Sequence, residues 1–162
     1  MIFNDKTILV TGGTGFIGYH TARQLREAGH AVRLLVRNEK KARDLYGDAL
    51  PELAVSEIAD EAGVRKALSG CDAVIHTAAM VSIDRKDADL VYRTNLEGTR
   101  NVIGQAVELG LSRIIHLSSV TAIFDERATL LTENSPPGTA KDAYGRSKVA
   151  CEKYVRELQA QG

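Results

Sequence analysis

The sequence predicts a doubly wound parallel α/β sheet of about five strands, and three observations predict it. Short apolar runs rich in Val, Ile and Leu alternate with stretches whose apolar residues recur at helical spacing. The runs are apolar at successive positions, as strands covered on both faces are. A glycine-rich turn, TGGTGFIG, stands between the first run and the first helical stretch. Strands joined through helices pair in parallel with right-handed crossovers, which places helices on both faces of one sheet.

The first strand is KTILVTG (Lys6–Gly12), a continuous run of the buried type. FIGYHTARQLREAG (Phe16–Gly29) follows as a helix and stops at a glycine, a good helix terminator. AVRLLVR (Ala31–Arg37) is the second strand, and the charged run NEKKARD (Asn38–Asp44) reads as a solvated helix face. ELAVSEI (Glu52–Ile58) is a weaker third strand, and ADEAGVRKALSG (Ala59–Gly70) a short helix ending at glycine. DAVIHTAA (Asp72–Ala79) is the fourth strand, LVYRTNLEGTRNVIGQAVELG (Leu90–Gly110) a long helix, and RIIHLSS (Arg113–Ser119) the fifth strand. A loop rich in Thr, Asn, Pro and Gly leads into the last helix, AYGRSKVACEKYVRELQAQ.

At 162 residues the chain is expected to be a single domain with a sizeable core. Its apolar fraction of 44% and charged fraction of 26% are those of an ordinary soluble protein. Lys plus Arg and Asp plus Glu both number 21, so the charge balance offers no footprint for nucleic acid or an anionic membrane. No apolar run approaches the ~18 residues that cross a bilayer, and MIFNDKTILV lacks the pattern of a secretory signal. Cys71 and Cys151 lie far apart and form no C-x-x-C, which suits reduced thiols in a cytoplasmic protein. The four histidines are scattered and none has metal-ligand spacing, so no metal site is expected.

Gly12, Gly15 and Gly18 form G-x-x-G-x-x-G in the context a phosphate loop needs, strand before and helix after. Gly12 permits the tight turn, Gly15 lets a pyrophosphate approach the backbone, and Gly18 lets the helix pack close to the sheet. The helix start adds free N–H groups and partial positive charge. No Asp or Glu lies between Lys6 and Arg26 to repel an anion. NAD sites usually carry a carboxylate at the end of the second strand, about twenty residues past the glycines. Here Val36 takes that place and Arg37 follows it, with Lys40, Lys41 and Arg43 beyond. A cation there pairs with a 2′-phosphate, so NADP is expected over NAD.

Tyr144 and Lys148 are four apart on a predicted helix and share a face. The spacing alone is a common coincidence; the position after the fifth strand gives it weight. A free tyrosine has a pKa of ~10, too high for proton exchange at neutral pH. A neighbouring ammonium favours the phenolate, and the pair then acts as general acid or base toward a carbonyl or hydroxyl. Ser118 and Ser119 end the fifth strand, where ligands of open α/β sheets bind. A hydroxyl there would hold the substrate oxygen; strand-end bonding to the backbone is the plainer alternative.

TGGTGFIG, HTAA at His76–Ala79, NLEGT at Asn95–Thr99, HLSS at His116–Ser119 and YGRSK at Tyr144–Lys148 occur in that order. Together they resemble the extended short-chain dehydrogenase/reductase family, of the NAD(P)-dependent epimerase/dehydratase type, over essentially the whole chain. The resemblance implies a Rossmann-type NAD(P)-binding domain. It makes Tyr144 the acid/base, Lys148 its pKa-lowering partner on the nicotinamide ribose, and Ser119 the substrate-orienting hydroxyl. Gly12, Gly15 and Gly18 fall on the phosphate loop, and Phe16 and Ile17 lend backbone N–H groups to the pyrophosphate. Glu57 and Ile58 fall beside the adenine, with Glu57 replacing the usual Asp. Ala78 and Ala79 line the cofactor. Asn95 is either a cofactor contact or a structural bond between helix and strand.

Arg37 and HLSSVTAIF look more like the dihydroflavonol reductase and 3β-hydroxysteroid dehydrogenase branch than the sugar-nucleotide epimerases. The expected function is hydride transfer between NADPH and a carbonyl or alcohol. Sugar-nucleotide epimerisation or dehydration is one alternative, and non-catalytic NADP(H) sensing another. Family members continue past the tyrosine helix with further strands and a substrate region. The 162 residues are therefore expected to bind cofactor with little or no turnover, and the fifth strand to lack its next neighbour. The long helix and the final helix could also join two copies into a homodimer.

Overall fold

The computed structural model describes residues 6–82 and 84–161. The N-terminal residues read for a secretory signal lie in part outside that range. The described chain forms two compact units, one of Met1–Ala78 with Asn101–Leu117 and one of Ala79–Arg100 with Ser118–Gly162.

The first unit holds a five-stranded parallel sheet. Its strands are β1 (Thr7–Thr11), β2 (Ala31–Val36), β3 (Glu52–Val55), β4 (Ala73–His76) and β5 (Arg113–His116), in the order β3-β2-β1-β4-β5. β1 is central and registers Thr11 opposite Leu35 on one side and His76 on the other. The order reverses beside β1, which makes its C-terminal end the topological switch point of a doubly wound sheet. Helices α1 (Phe16–Glu27), α2 (Glu39–Tyr46) and α3 (Glu61–Leu68) cover the faces.

Alternate residues of a strand face opposite sides. Ile8, Val10, Val32, Leu34 and Val36 therefore share one face, where Ala22 of α1 and Ala42 and Tyr46 of α2 complete a buried cluster. Leu9 and Leu35, of the opposite parity, are buried as well, as are Val64 and Leu68 of α3. Each such aliphatic side chain contributes roughly 1.5–3 kcal/mol on full burial. The strands stop sooner than their apolar runs. Past β4, Thr77 and Ala78 are half-buried and bond Thr11 at the loop instead of continuing the pairing. Among the described residues β5 pairs only with β4, and its Ile115 is 53% exposed. β5 is thus an edge strand of the described sheet.

The predicted long helix is three pieces: α4 (Ala88–Thr99), a π turn (Arg100–Gly104) and α5 (Gln105–Glu108). In the first unit Asn101 Nδ2 donates to Ile58 O (3.0 Å) and Gln105 Nε2 to Glu61 O (3.0 Å), which anchors these turns beside the start of α3. In the second unit α4 packs on α6 (Ala143–Ala160), whose start is capped by Asp142 accepting from Gly145 N at 2.8 Å. Among the described residues no helix is long and apolar enough to cross a membrane. Cys71 and Cys151 are free thiols.

Candidate functional site

In the first unit the glycine turn closes with Gly15 N donating to Gly12 O at 2.8 Å. Gly12 sits at φ 72°, a left-handed conformation that glycine adopts at little cost. A Cβ on Gly18 would lie 2.3 Å from Gly12 O, so the start of α1 rests directly on the turn. The end of β4 braces the same turn. Thr77 Oγ1 donates to Thr11 O (2.7 Å), Ala78 N donates to Thr11 Oγ1 (3.2 Å), and Thr11 Oγ1 bonds His76 Nδ1 (2.7 Å). The HTAA segment is therefore a buttress for the loop, a role its spacing does not reveal.

Asn38, Asp60 and Asp142 cap α2, α3 and α6 with their side chains, whereas α1 begins at Gly15 with no side-chain cap and no acid in its first turn. The first N–H with a helical acceptor is that of Tyr19, to Gly15 O at 2.9 Å. The N–H groups of Phe16, Ile17 and Gly18 stand at the open helix end, and Phe16 is 82% exposed. Open donors, a helix dipole and no carboxylate fit the diphosphate of a dinucleotide.

Val36 is buried and Arg37, just beyond it, is exposed. The cations after it do not act together. Lys40 pairs with Asp44 (2.6 Å) and Arg43 with Glu39 (2.6 Å), both along α2. Among the described residues Arg37 and Lys41 have no carboxylate partner, so the local positive potential rests on these two. Glu57 is exposed, Ile58 half-buried, and Ile58 O is occupied by Asn101. Ala78 is half-buried, with its N–H on Thr11.

Ala79, Asn95, Ser119, Tyr144 and Lys148 belong to the second unit. Ala79 is exposed. Asn95 is only 2% exposed. Its Oδ1 accepts from Met80 N (2.7 Å), and its Nδ2 donates to Met80 O (3.0 Å) and to Ser147 Oγ (2.9 Å). Both amide hydrogens are engaged, so in this conformation Asn95 clasps α4 to α6 and to the segment at Met80. Ser118 donates to Glu152 on α6 (2.6 Å). Ser119 instead caps the short turn Val120–Ala122, its Oγ accepting from Thr121 Oγ1 (2.9 Å) and Thr121 N (3.3 Å). With both lone pairs used, the Ser119 O–H is left to donate. α6 packs on that turn. Tyr144 is half-buried and Lys148, one helical turn on, is 4% exposed. An open cleft of about 550 Å³, lined by Thr121, Phe124, Arg127 and Lys141 among others, lies in the same unit.

Burial pushes the Lys148 ammonium below its ordinary value, with Cys151 and Glu152 opposing the shift. The folded protein then binds this proton less tightly than the unfolded chain. Stability rises with pH from the folded-state value up to the ordinary 10.5. Lys148→Met removes this proton linkage, so the stability difference between wild type and variant is expected to move in favour of the wild type as the pH is raised from neutral toward about 10. Urea midpoints of both proteins at the two pH values check this; a difference that is constant or moves the other way would contradict it.

Residues 8–162 match the NAD dependent epimerase/dehydratase family. The chain is 35% identical over 156 residues to a putative dihydroflavonol 4-reductase of Synechocystis sp., covering 94% of this chain and 45% of that protein. It is 31% identical over 165 residues to a UDP-glucose 4-epimerase of Neisseria meningitidis serogroup B, covering 95% and 48%. A short-chain dehydrogenase/reductase superfamily protein from Agrobacterium tumefaciens, solved with bound NAD, superposes with a TM-score of 0.82 at 30% identity, over 96% of this chain and 46% of that one. The chain thus spans less than half the length of these relatives. The open-ended glycine turn, the sheet order and a family match over nearly every residue agree: the chain, Rossmann-type in fold, belongs to the NAD dependent epimerase/dehydratase family.

Proposed function

We propose that the chain is the dinucleotide-binding part of an NADP-dependent oxidoreductase of the short-chain dehydrogenase type, acting between a carbonyl and an alcohol. The observation that carries the reading is the uncapped start of α1, whose backbone donors stand on a loop braced by the end of β4 and suit an anion. In this reading Phe16, Ile17 and Gly18 hold the diphosphate, and Glu57, Ile58, Ala78 and Ala79 border the rest of the cofactor. Arg37 pairs with the 2′-phosphate. The bound nicotinamide gives or takes the hydride. Tyr144 gives or takes the proton at the substrate oxygen, Lys148 holds positive charge one turn below it, and Ser119 donates to that same oxygen. Asn95 keeps α4 and α6 in register for them.

Calorimetric titration of the chain with NADPH and NADH tests the reading. Saturable binding of both is expected, with NADPH the tighter, and Arg37→Ala should weaken NADPH about tenfold while sparing NADH. A folded chain that takes up neither nucleotide at millimolar dose would refute it. The match to a UDP-glucose 4-epimerase favours a second reading, sugar-nucleotide epimerisation. There the dinucleotide returns to its starting redox state each cycle, so net consumption of NADPH by a carbonyl substrate separates the two.

A further inference from the structure

Gly13, the loop glycine that is not part of the G-x-x-G-x-x-G spacing, is held from the core. It is buried. The hydroxyl of Tyr46, the last residue of α2, donates to Gly13 O at 2.7 Å across 33 residues of sequence. A Cβ on Gly13 would lie 2.7 Å from Leu34 Cδ2, so the residue sits directly on the strand below. The Tyr46 ring is part of the buried cluster under α1 and α2 and packs 5.0 Å from the ring of Tyr19.

The carbonyl of Gly13 and the N–H of Thr14 belong to one trans peptide and point in opposite directions. A donor in the core that holds Gly13 O inward turns Thr14 N–H outward, away from the core. We propose that Tyr46 is a positioning residue for the dinucleotide: by fixing the Gly13–Thr14 peptide it adds Thr14 N–H to the diphosphate donors at the start of α1. This rests on the dinucleotide reading above and names a residue that the glycine pattern does not contain. Burial pushes the Tyr46 hydroxyl up to about 12, with Tyr19 adding to the shift, so it remains a donor throughout the range in which binding is measured.

Tyr46→Phe removes only the hydroxyl and keeps the ring in the core. Tyr19→Phe is the matched control, because that ring packs beside Tyr46 without bonding the loop. Both variants and the wild type are titrated with NADPH and NADH. Tyr46→Phe is expected to weaken both nucleotides about tenfold and equally, since the diphosphate is common to them. Tyr19→Phe should stay within about twofold of wild type. The assignment falls if Tyr46→Phe stays within about twofold of wild type. It falls also if the loss is confined to one nucleotide, or if Tyr19→Phe loses as much, since either result points to the packing of α2 and not to the Gly13 peptide. A wild-type chain that binds neither nucleotide overturns the dinucleotide reading itself, and this one with it.

Discussion

Tyr144→Phe is expected to lower turnover about a thousandfold while leaving NADPH affinity within about threefold of wild type. The phenol oxygen is the only atom removed, and general acid–base groups contribute typically 10²–10⁴-fold. The rest of the local structure does not use it. α6 is started by Asp142 on Gly145 N, and the Ser147 hydroxyl donates to the backbone carbonyl of Tyr144 (2.6 Å), not to its ring. The variant should therefore unfold at the same denaturant concentration. Rates are to be read as NADPH consumption against aldehydes, ketones and sugar nucleotides. A rate within threefold of wild type would show that another group moves the proton.

Gly18→Ala is expected to cost about 3 kcal/mol of stability and to reduce dinucleotide binding more than tenfold. Its Cβ would stand 2.3 Å from Gly12 O, 2.6 Å from Gly12 C and 2.8 Å from Thr77 Oγ1. Two of those atoms are backbone, so α1 or the turn must move, and the open N–H groups move with it. Gly15→Ala is the informative contrast. Its Cβ meets only Gly12 O, at 3.3 Å, and its φ of −96° suits any residue. It should change stability by less than about 1 kcal/mol, yet weaken binding if a pyrophosphate must come close to that Cα. Denaturant unfolding and titration of the two variants separate fold from ligand contact. Equal stability losses at Gly15 and Gly18 would mean that the close approach of α1 to the turn has been misread.

The five strands could be anticipated because the central ones are buried on both faces, and continuous apolar runs record that burial directly; their order could not, because the runs do not say which strand pairs with which. The runs overestimate strand length. SEI after Val55 and TAA after His76 leave the strands, with Glu57 and Ala79 exposed and the other four residues half-buried. The π turn was not visible, since TRNVIG keeps an apolar spacing that an α-helix also satisfies. Within the site, the glycines could be read because their spacing between a strand and a helix is visible in the sequence itself, and at Gly12 and Gly18 a side chain has no room. Tyr46 could not, because nothing within its own helix marks a bond to a residue 33 positions earlier. Its one clue is an aromatic four residues after buried Ala42 on a short charged helix. The positive potential of Lys40 and Arg43 is offset by Asp44 and Glu39, a pairing implicit in the i,i+4 spacing.

The bare beginning of α1 has a consequence for how the molecule endures heating. A side-chain cap is worth typically ~1 kcal/mol; α2, α3 and α6 have one, whereas α1, which begins at Gly15, does not. Under the dinucleotide reading, occupancy completes that helix, and at a hundredfold excess over Kd it adds about 2.7 kcal/mol. Survival of the chain at elevated temperature would then follow the supply of pyridine nucleotide around it.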